Sequence, residues 1–371
     1  MNDPTEPSVE TGAMPVATEH RDVSLTPAYF QFAGSGAEYF RIWAVNLLLT
    51  ILTLGIYSPW AKVRRLRYIY GNTQLQQGSF DYHAKPLAIL IGRAVAVVFL
   101  LGYLVAQATA PMLAPLLGAV LALAVPWLIV RSRMFNMRYT SYRNIRLGFK
   151  PAYGESYKVI FLYGFLTVVT LGLAAPYAHY MRSQFIVNNT RYGNLPLSMG
   201  EAAGAFFFAY FLTFVAAAVI VGPMLTFFAG IFGPAEPGAE TTQPAALMIV
   251  LPVIAGLAFY NVVGKFLSGA ALRATVRASR VESAQDGRTY RMGNDWSLNT
   301  LLFIYVTNFI AMVCSLGLLV PWAQMRETRY LMNNMWIELP DDLDDVVARQ
   351  AEDVSAFGDE IGQMFDVDLG L

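Results

Sequence analysis

One ten-residue pattern occurs three times in this chain, and it constrains the fold more than any other feature. Leu52-Thr-Leu-Gly-Ile-Tyr-Ser-Pro-Trp-Ala61 returns as Val169-Thr-Leu-Gly-Leu-Ala-Ala-Pro-Tyr-Ala178 and again as Cys314-Ser-Leu-Gly-Leu-Leu-Val-Pro-Trp-Ala323. Anchored on Gly55, Gly172 and Gly317, the copies align without gaps at Pro59/Pro176/Pro321 and Trp60/Tyr177/Trp322. Further on, Asn72, Asn189 and Asn334 stay in register. The expected organisation is three copies of one unit, over residues 29–145, 146–287 and a truncated 288–340, between a polar acidic tail 1–28 and a second acidic tail 341–371.

Each unit opens on a short alternating stretch such as Phe30-Gln-Phe-Ala-Gly34, whose period of two suits a strand. An apolar helix, the Gly-x-x-x-Pro-aromatic break, a basic amphipathic helix and a strand-like piece such as Ser79-Phe-Asp-Tyr82 follow. Proline removes an amide donor, and an aromatic ring prefers the boundary between hydrocarbon and headgroups. Gly55, Pro59 and Trp60, with Gly172, Pro176 and Tyr177 and with Gly317, Pro321 and Trp322, are therefore expected to form structural hinges and interface anchors. Beyond the first break, Lys62, Arg64, Arg65 and Arg67 alternate with apolar residues, as a helix lying against anionic lipid would.

A hydrophobic share of 56% against 14% charged residues leaves too little polar surface for soluble domains of this total length. Seven apolar stretches approach the length that crosses a bilayer: Ile42–Tyr57, Leu87–Ala106, Met112–Val130, Val159–Ala175, Ala202–Val221, Ala245–Val263 and Leu301–Val320. The expected fold is mainly α, a polytopic helical membrane protein with three internal repeats, broken or re-entrant helices, and small β elements at the basic face. No secretory signal is expected, because Met1 to Leu25 is polar and acidic. The formal charge of zero hides a segregation: ten acids and one base, Arg349, lie in residues 341–371, so that tail is net −9 and the rest +9. A solvated tail is the plain expectation, and docking of the tail onto the basic face is the sharper one. Cys314, the only cysteine, falls in an apolar segment and is expected to pack there.

Two topologies follow. If all seven segments cross, basic segments fall on both faces of the membrane. If the first helix of each unit is re-entrant, the hairpins 87–130 and 202–263 do the crossing. Lys62–Arg67, Arg131–Lys150, Arg182–Arg191, Arg273–Arg291 and Arg326–Arg329 then share one side. Positive-inside bias favours the second arrangement.

The run from Phe32-x-Gly34 through Asn46-Leu-Leu-Leu-Thr-x-Leu-Thr-Leu-Gly-Ile-Tyr-Ser-Pro-Trp-Ala-Lys-Val-Arg64, with Arg67-Tyr68 and Asn72-Thr73, resembles the YjgN-like bacterial inner-membrane proteins, a family of unknown function. The resemblance covers about Phe30 to Pro340 and leaves the acidic tail outside. It implies a bacterial inner-membrane location, which the apolar segments make multi-pass, and it brings no activity, cofactor or catalytic residue with it.

No catalytic constellation and no cofactor site is legible. His20, His83 and His179 lie far apart without cysteines beside them, so no metal is expected, and no Walker-type phosphate loop occurs. Polar residues inside apolar segments are costly and therefore informative. Asn46, Tyr163 and Asn308 occupy equivalent places in the three units and could either tie helices together or line a polar pathway. Arg93 and Lys265 are expected to snorkel to the interface, and no Asp or Glu falls in any of the seven segments. Two functions of different class remain: a permease or channel for an unidentified solute, and a non-enzymatic structural or regulatory protein that organises lipid or a partner. The expected partners are anionic lipid and a membrane protein or second copy of this chain, with no nucleic acid.

Overall fold

The computed structural model describes residues 25–232, 256–257, 259–282 and 287–340. The expectations for the acidic tail 341–371, for the first 24 residues and for most of the segment Ala245–Val263 lie outside them. Ten short strands close into an antiparallel barrel: β1 (Leu25–Phe32), β2 (Thr73–Leu75), β3 (Gly78–Tyr82), β4 (Thr140–Tyr142), β5 (Ile145–Phe149), β6 (Thr190–Tyr192), β7 (Leu195–Met199), β8 (Ser279–Glu282), β9 (Thr289–Asn294) and β10 (Met335–Pro340). Closure is made by β1, which pairs with β10 through Leu25↔Pro340 to Tyr29↔Trp336 and with β2 through Phe30↔Leu75.

Alternate residues point inward, as the pleat requires. Phe30, Leu75, Tyr142, Leu195, Val281, Tyr290 and Leu339 are buried and fill the lumen in two contiguous clusters. Ring packing runs across it from Phe30 to Phe80, Tyr142 and Tyr192, with centroids 6.1, 4.7 and 6.0 Å apart. The Tyr142 hydroxyl donates to the Leu75 carbonyl at 2.8 Å, and burial pushes the Tyr192 phenol well above its ordinary pKa. Outward positions are exposed and polar, among them Gln31, Gln74, Asp81, Arg146, Arg191 and Arg280. A barrel that crosses a membrane has the reverse pattern and strands of roughly 9–11 residues. This one has strands of 3–8 residues, so its wall belongs in water.

The strands leave the barrel in a fixed order. At one end lie tight hairpins such as Arg143–Asn144, where both residues have positive φ (47° and 64°), as a type I′ turn needs. At the other end every connection is a pair of helices. The first segment runs β1, α1 (Gly36–Leu52), α2 (Ser58–Gly71), β2, and the second runs β3, α3 (Pro86–Thr109), α4 (Ala114–Arg138), β4. The third has α5 (Tyr153–Tyr157), a π-helical turn Lys158–Leu162, α6 (Tyr163–Val169) and α7 (Ala175–Asn188) between β5 and β6. The fourth has α8 (Ala203–Phe232), a π-helical turn Phe259–Gly264 and α9 (Lys265–Ala278) between β7 and β8, and the fifth has α10 (Leu298–Cys314) and α11 (Val320–Asn333) between β9 and β10.

One backbone bond recurs where each helical pair stands on the barrel. Ala33, His83, Lys150, Gly200 and Asp295 donate their N–H to Asn72, Tyr139, Asn189, Ala278 and Asn334 at 2.7–3.0 Å. The second helix of each segment then packs on the first helix of the next, and α11 packs on α1 to close the ring. Each of the five junctions has its own buried cluster: Val63 and Tyr82; Val130, Phe149 and Phe185; Tyr180 and Phe206; Phe266, Trp296 and Leu301; Phe32, Tyr39 and Met325.

The expected fold is thus corrected. The chain is not a polytopic helical membrane protein with small β elements. It is a closed ten-strand barrel carrying helical pairs on one end, and among the described residues α3 and α4 are long and apolar enough to cross a membrane. The stretch expected over Ile42–Tyr57 is interrupted by the turn after Leu52, and those over Val159–Ala175 and Leu301–Val320 likewise by turns after Val169 and Cys314. The strands escaped notice as a barrel because most are too short to show more than two or three alternations and each pairs on one side with a strand far away in sequence. Residues 29–145 hold two strand–helix–helix–strand segments, 146–287 hold two, and 288–340 hold one.

Candidate functional site: a basic collar beneath apolar tips

The three ten-residue motifs build the same turn. Leu54, Leu171 and Leu316 adopt the left-handed conformation at φ 49°, 50° and 50°, followed by Gly55, Gly172 and Gly317 at φ 93°, 91° and 88°. The glycine N–H reaches back to Thr50, Thr167 and Met312 carbonyls at 2.8, 2.7 and 2.8 Å, and the leucine N–H to Ile51, Val168 and Val313 at 3.1, 3.0 and 3.1 Å. This is a Schellman helix end with leucine where glycine is usual. The hydroxyls of Thr53, Thr170 and Ser315 then accept the N–H of Tyr57, Ala174 and Leu319 at 3.0 Å each, which ties the turn to the helix that returns.

Pro59, Pro176 and Pro321 are buried in the first turn of the returning helix, where a missing N–H costs nothing. The break is therefore made by Thr/Ser-Leu-Gly, and proline opens the next helix. Gly55→Ala should cost about 1–2 kcal/mol of stability through strain at its positive φ, whereas Pro59→Ala should cost less than about 1 kcal/mol. Thermal unfolding in detergent separates the two, and equal losses would contradict this division of labour.

The anchor rings sit beside these turns. Trp60 stacks on Tyr57 at 6.0 Å, Tyr177 packs edge-on to Tyr163 at 5.6 Å, and the Arg326 guanidinium lies over Trp322 at 5.3 Å. The tips themselves are bare: Leu54, Leu171 and Leu316 are 94–95% exposed, as is Met112 at the end of the α3–α4 hairpin. Exposed leucine in a strained conformation is costly in water twice over, by its apolar surface and by its backbone. Among described helix residues, α3 has no buried position at all.

Toward the barrel the chemistry turns basic. Arg64, Arg65 and Arg67 are exposed, and the Arg67 Nε donates to the Tyr82 carbonyl at 3.4 Å. Lys62 is half-buried, and burial, reinforced by the charges of Arg93 and Arg65, lowers its pKa. Arg93 does not turn back to the barrel; it donates to the Ser58 hydroxyl at the start of α2.

Two of the three polar positions are engaged within their own helical pair. Asn308 donates to the Ala323 carbonyl at 3.2 Å and accepts from Arg326 at 3.0 Å. Tyr163 packs on Tyr177, and Asn46 is buried with no partner for its side-chain oxygen. Neither bond nor ring contact joins the three to one another among the described residues. Of the histidines, His83 meets the Ser141 hydroxyl at 2.9 Å and His179 meets the Tyr210 hydroxyl at 3.3 Å. Among the described residues no group of three or more His, Cys, Asp or Glu could hold a metal. An open cleft of about 850 Å³ lies at the third junction, lined by Tyr177, Tyr180, Glu201, Arg277 and Arg280.

Two features escaped the sequence reading. Pro126-Trp127 stands fourteen residues before Thr140, as Pro59-Trp60 stands before Thr73, so the second segment carries the proline–aromatic pair without the glycine turn. Counting back from each strand would have found it. In the fourth segment Lys265 holds the proline's place before Ser279, and it pairs with Glu327 of α11, a carboxylate that lies outside the apolar stretches. No local signal joins residues 62 positions apart.

Comparison with known proteins places the chain. Residues 27–364 match the family described as bacterial protein of unknown function (DUF898), and the chain belongs to that family. It is 33% identical over 141 residues to the inner membrane protein YjgN of Salmonella typhimurium and 34% over 147 residues to that of Escherichia coli O157:H7. Each alignment covers 38% of this chain and 36% of the relative. No solved structure matches.

Proposed function

We propose that this member of the DUF898 family is a non-enzymatic inner-membrane protein that embeds a ring of helical tips in the bilayer and holds its barrel at the membrane surface. The five segments are read as copies of one unit, and the relatives' designation as inner membrane proteins supports the location. The observation that carries the reading is the set of strained, bare leucines at the tips, which gain a reason only in lipid.

Depth follows from helix rise. From Arg93 to Thr109 and from Ala114 to Arg131 the α3–α4 hairpin extends about 24–26 Å beyond the charged level, close to the ~30 Å of a hydrocarbon core. From Arg41 to Leu52, α1 extends only about 17 Å, so the first pair dips in and returns. The basic residues of the second helices then lie on the barrel side, beside anionic headgroups. A path along the barrel axis meets Phe30, Tyr142, Tyr192 and Tyr290, which favours organisation over passage of a solute.

Cysteines placed beside Lys62, Arg138, Arg191 and Arg277 on a Cys314→Ser background should all react with an impermeant maleimide from one side of the membrane. A cysteine at Met112 should react from the other side or from neither. Labelling of the four from opposite sides would refute the one-sided barrel, and solute flux through reconstituted protein would return the permease reading.

A further inference from the structure

The five junctions of the helical ring present the same slot five times, between a residue eleven positions before the strand and one ten positions after the recurring backbone bond. At these positions the second junction has Ile129 and Ile160, and the third has His179 and Tyr210 in contact at 3.3 Å. The fourth has Ser268 and Tyr305, and the fifth Gln324 and Trp43. Apolar or neutral pairs therefore suffice to close the ring. The first junction alone has two cations there, Lys62 and Arg93. Like charges in one slot repel, so the fold gains nothing from them.

Among the described residues their surroundings offer no internal counter-charge. Arg93 is the only charged residue of α3, and its guanidinium is held by the Ser58 hydroxyl. At the position of Ser58 the other segments have Val125, Ala175, Gly264 and Val320, none with a polar side chain. Among the described residues no carboxylate is bonded to Lys62, Arg65 or Arg93. Glu38 accepts from Tyr68 at 3.1 Å, and Glu327 serves Lys265. Lys62 carries a pKa lowered by burial and by the two arginines, which an anion between them would relieve. Arg93 is the single charge in the otherwise apolar α3, and on the bilayer-embedded reading it stands at the level of the lipid phosphates.

We propose that the slot between α2 and α3 is a phosphate site, in which Lys62, Arg93 and the Ser58 hydroxyl bind the headgroup phosphate of an anionic phospholipid. Arg93 supplies a planar fork and Lys62 a point charge, the two donor types that suit phosphate oxygens. The site rests on the bilayer-embedded reading for its lipid source, but the phosphate chemistry stands on the slot itself.

The full-length chain would be reconstituted in nanodiscs of phosphatidylcholine with and without phosphatidylglycerol, extracted into detergent, and its retained lipid counted by native mass spectrometry. Wild type should keep phosphatidylglycerol, and Lys62→Gln and Arg93→Gln should each lower retention about tenfold while Arg133→Gln does not. Thermal unfolding in pure phosphatidylcholine should be unchanged or raised in Lys62→Gln, since a repulsion is removed. Equal loss in Arg133→Gln, no loss in either slot variant, or a lowered unfolding temperature for both in phosphatidylcholine would overturn the site. A parallel titration with inorganic phosphate in detergent does not depend on where the tips lie. Stabilisation by phosphate that Lys62→Gln abolishes, without any phosphatidylglycerol retention, overturns the lipid assignment in favour of a soluble phosphate.

Discussion

Replacing Leu54, Leu171 and Leu316 together by aspartate should expel the three tips from the bilayer, with a penalty near 3 kcal/mol for each tip. An Ile56→Cys reporter, unreactive toward impermeant maleimide in the parent protein, should then label fully. Glycine at the same three positions has a different outcome, because it acts on two terms of opposite sign. It relieves roughly 1–2 kcal/mol of left-handed strain per turn and gives up roughly 2 kcal/mol of leucine burial in lipid. The glycine variant should therefore hold the turn at least as well while labelling more readily than the parent. If the aspartate variant leaves Ile56→Cys unlabelled, the tips are not in lipid and the leucines need another explanation.

The second large effect is expected at Trp296, the largest fully buried side chain among the described residues. It is 1% exposed, packs with Phe266, Leu301 and Ile304 where the fourth segment meets the fifth, and donates its Nε1 to the Leu331 carbonyl at 2.9 Å. Trp296→Ala should cost about 3–5 kcal/mol from lost burial and the void left behind. Trp296→Phe keeps most of the volume and strands the carbonyl, so about 1–3 kcal/mol is expected. Chemical denaturation of the purified protein orders the variants. Should alanine and phenylalanine prove equally mild, that junction is not what holds the ring closed.

The glycine turn was legible because its cause is local. Thr53, Leu54 and Gly55 end α1 through bonds that span at most five residues, and the run makes the same turn at each of its three occurrences in this chain. Pro59 was legible as punctuation but not in its role, since proline opens a helix as readily as it ends one. Pro126 was hidden inside a continuous helix, where no glycine announced it. The family resemblance rested on the same local runs; the match over 27–364 bears out the family and extends into the acidic tail that the resemblance left outside.

Sequence by itself determined the apolar tips, the basic stretches and the turns between them, since each depends on neighbours within a few residues. Tertiary structure alone decided that the strand fragments form a closed barrel. A three-residue strand such as β2 buries only Thr73 and Leu75, which is too weak a period to name its partner. Its neighbour β1 is brought there from beyond two helices, and β1 in turn meets β10 across most of the chain, Leu25 opposite Pro340. The pairing of Lys265 with Glu327 and the bond from Arg93 to Ser58 follow from that closure, because the ring fixes which helices are adjacent only once the barrel has fixed the order of its strands.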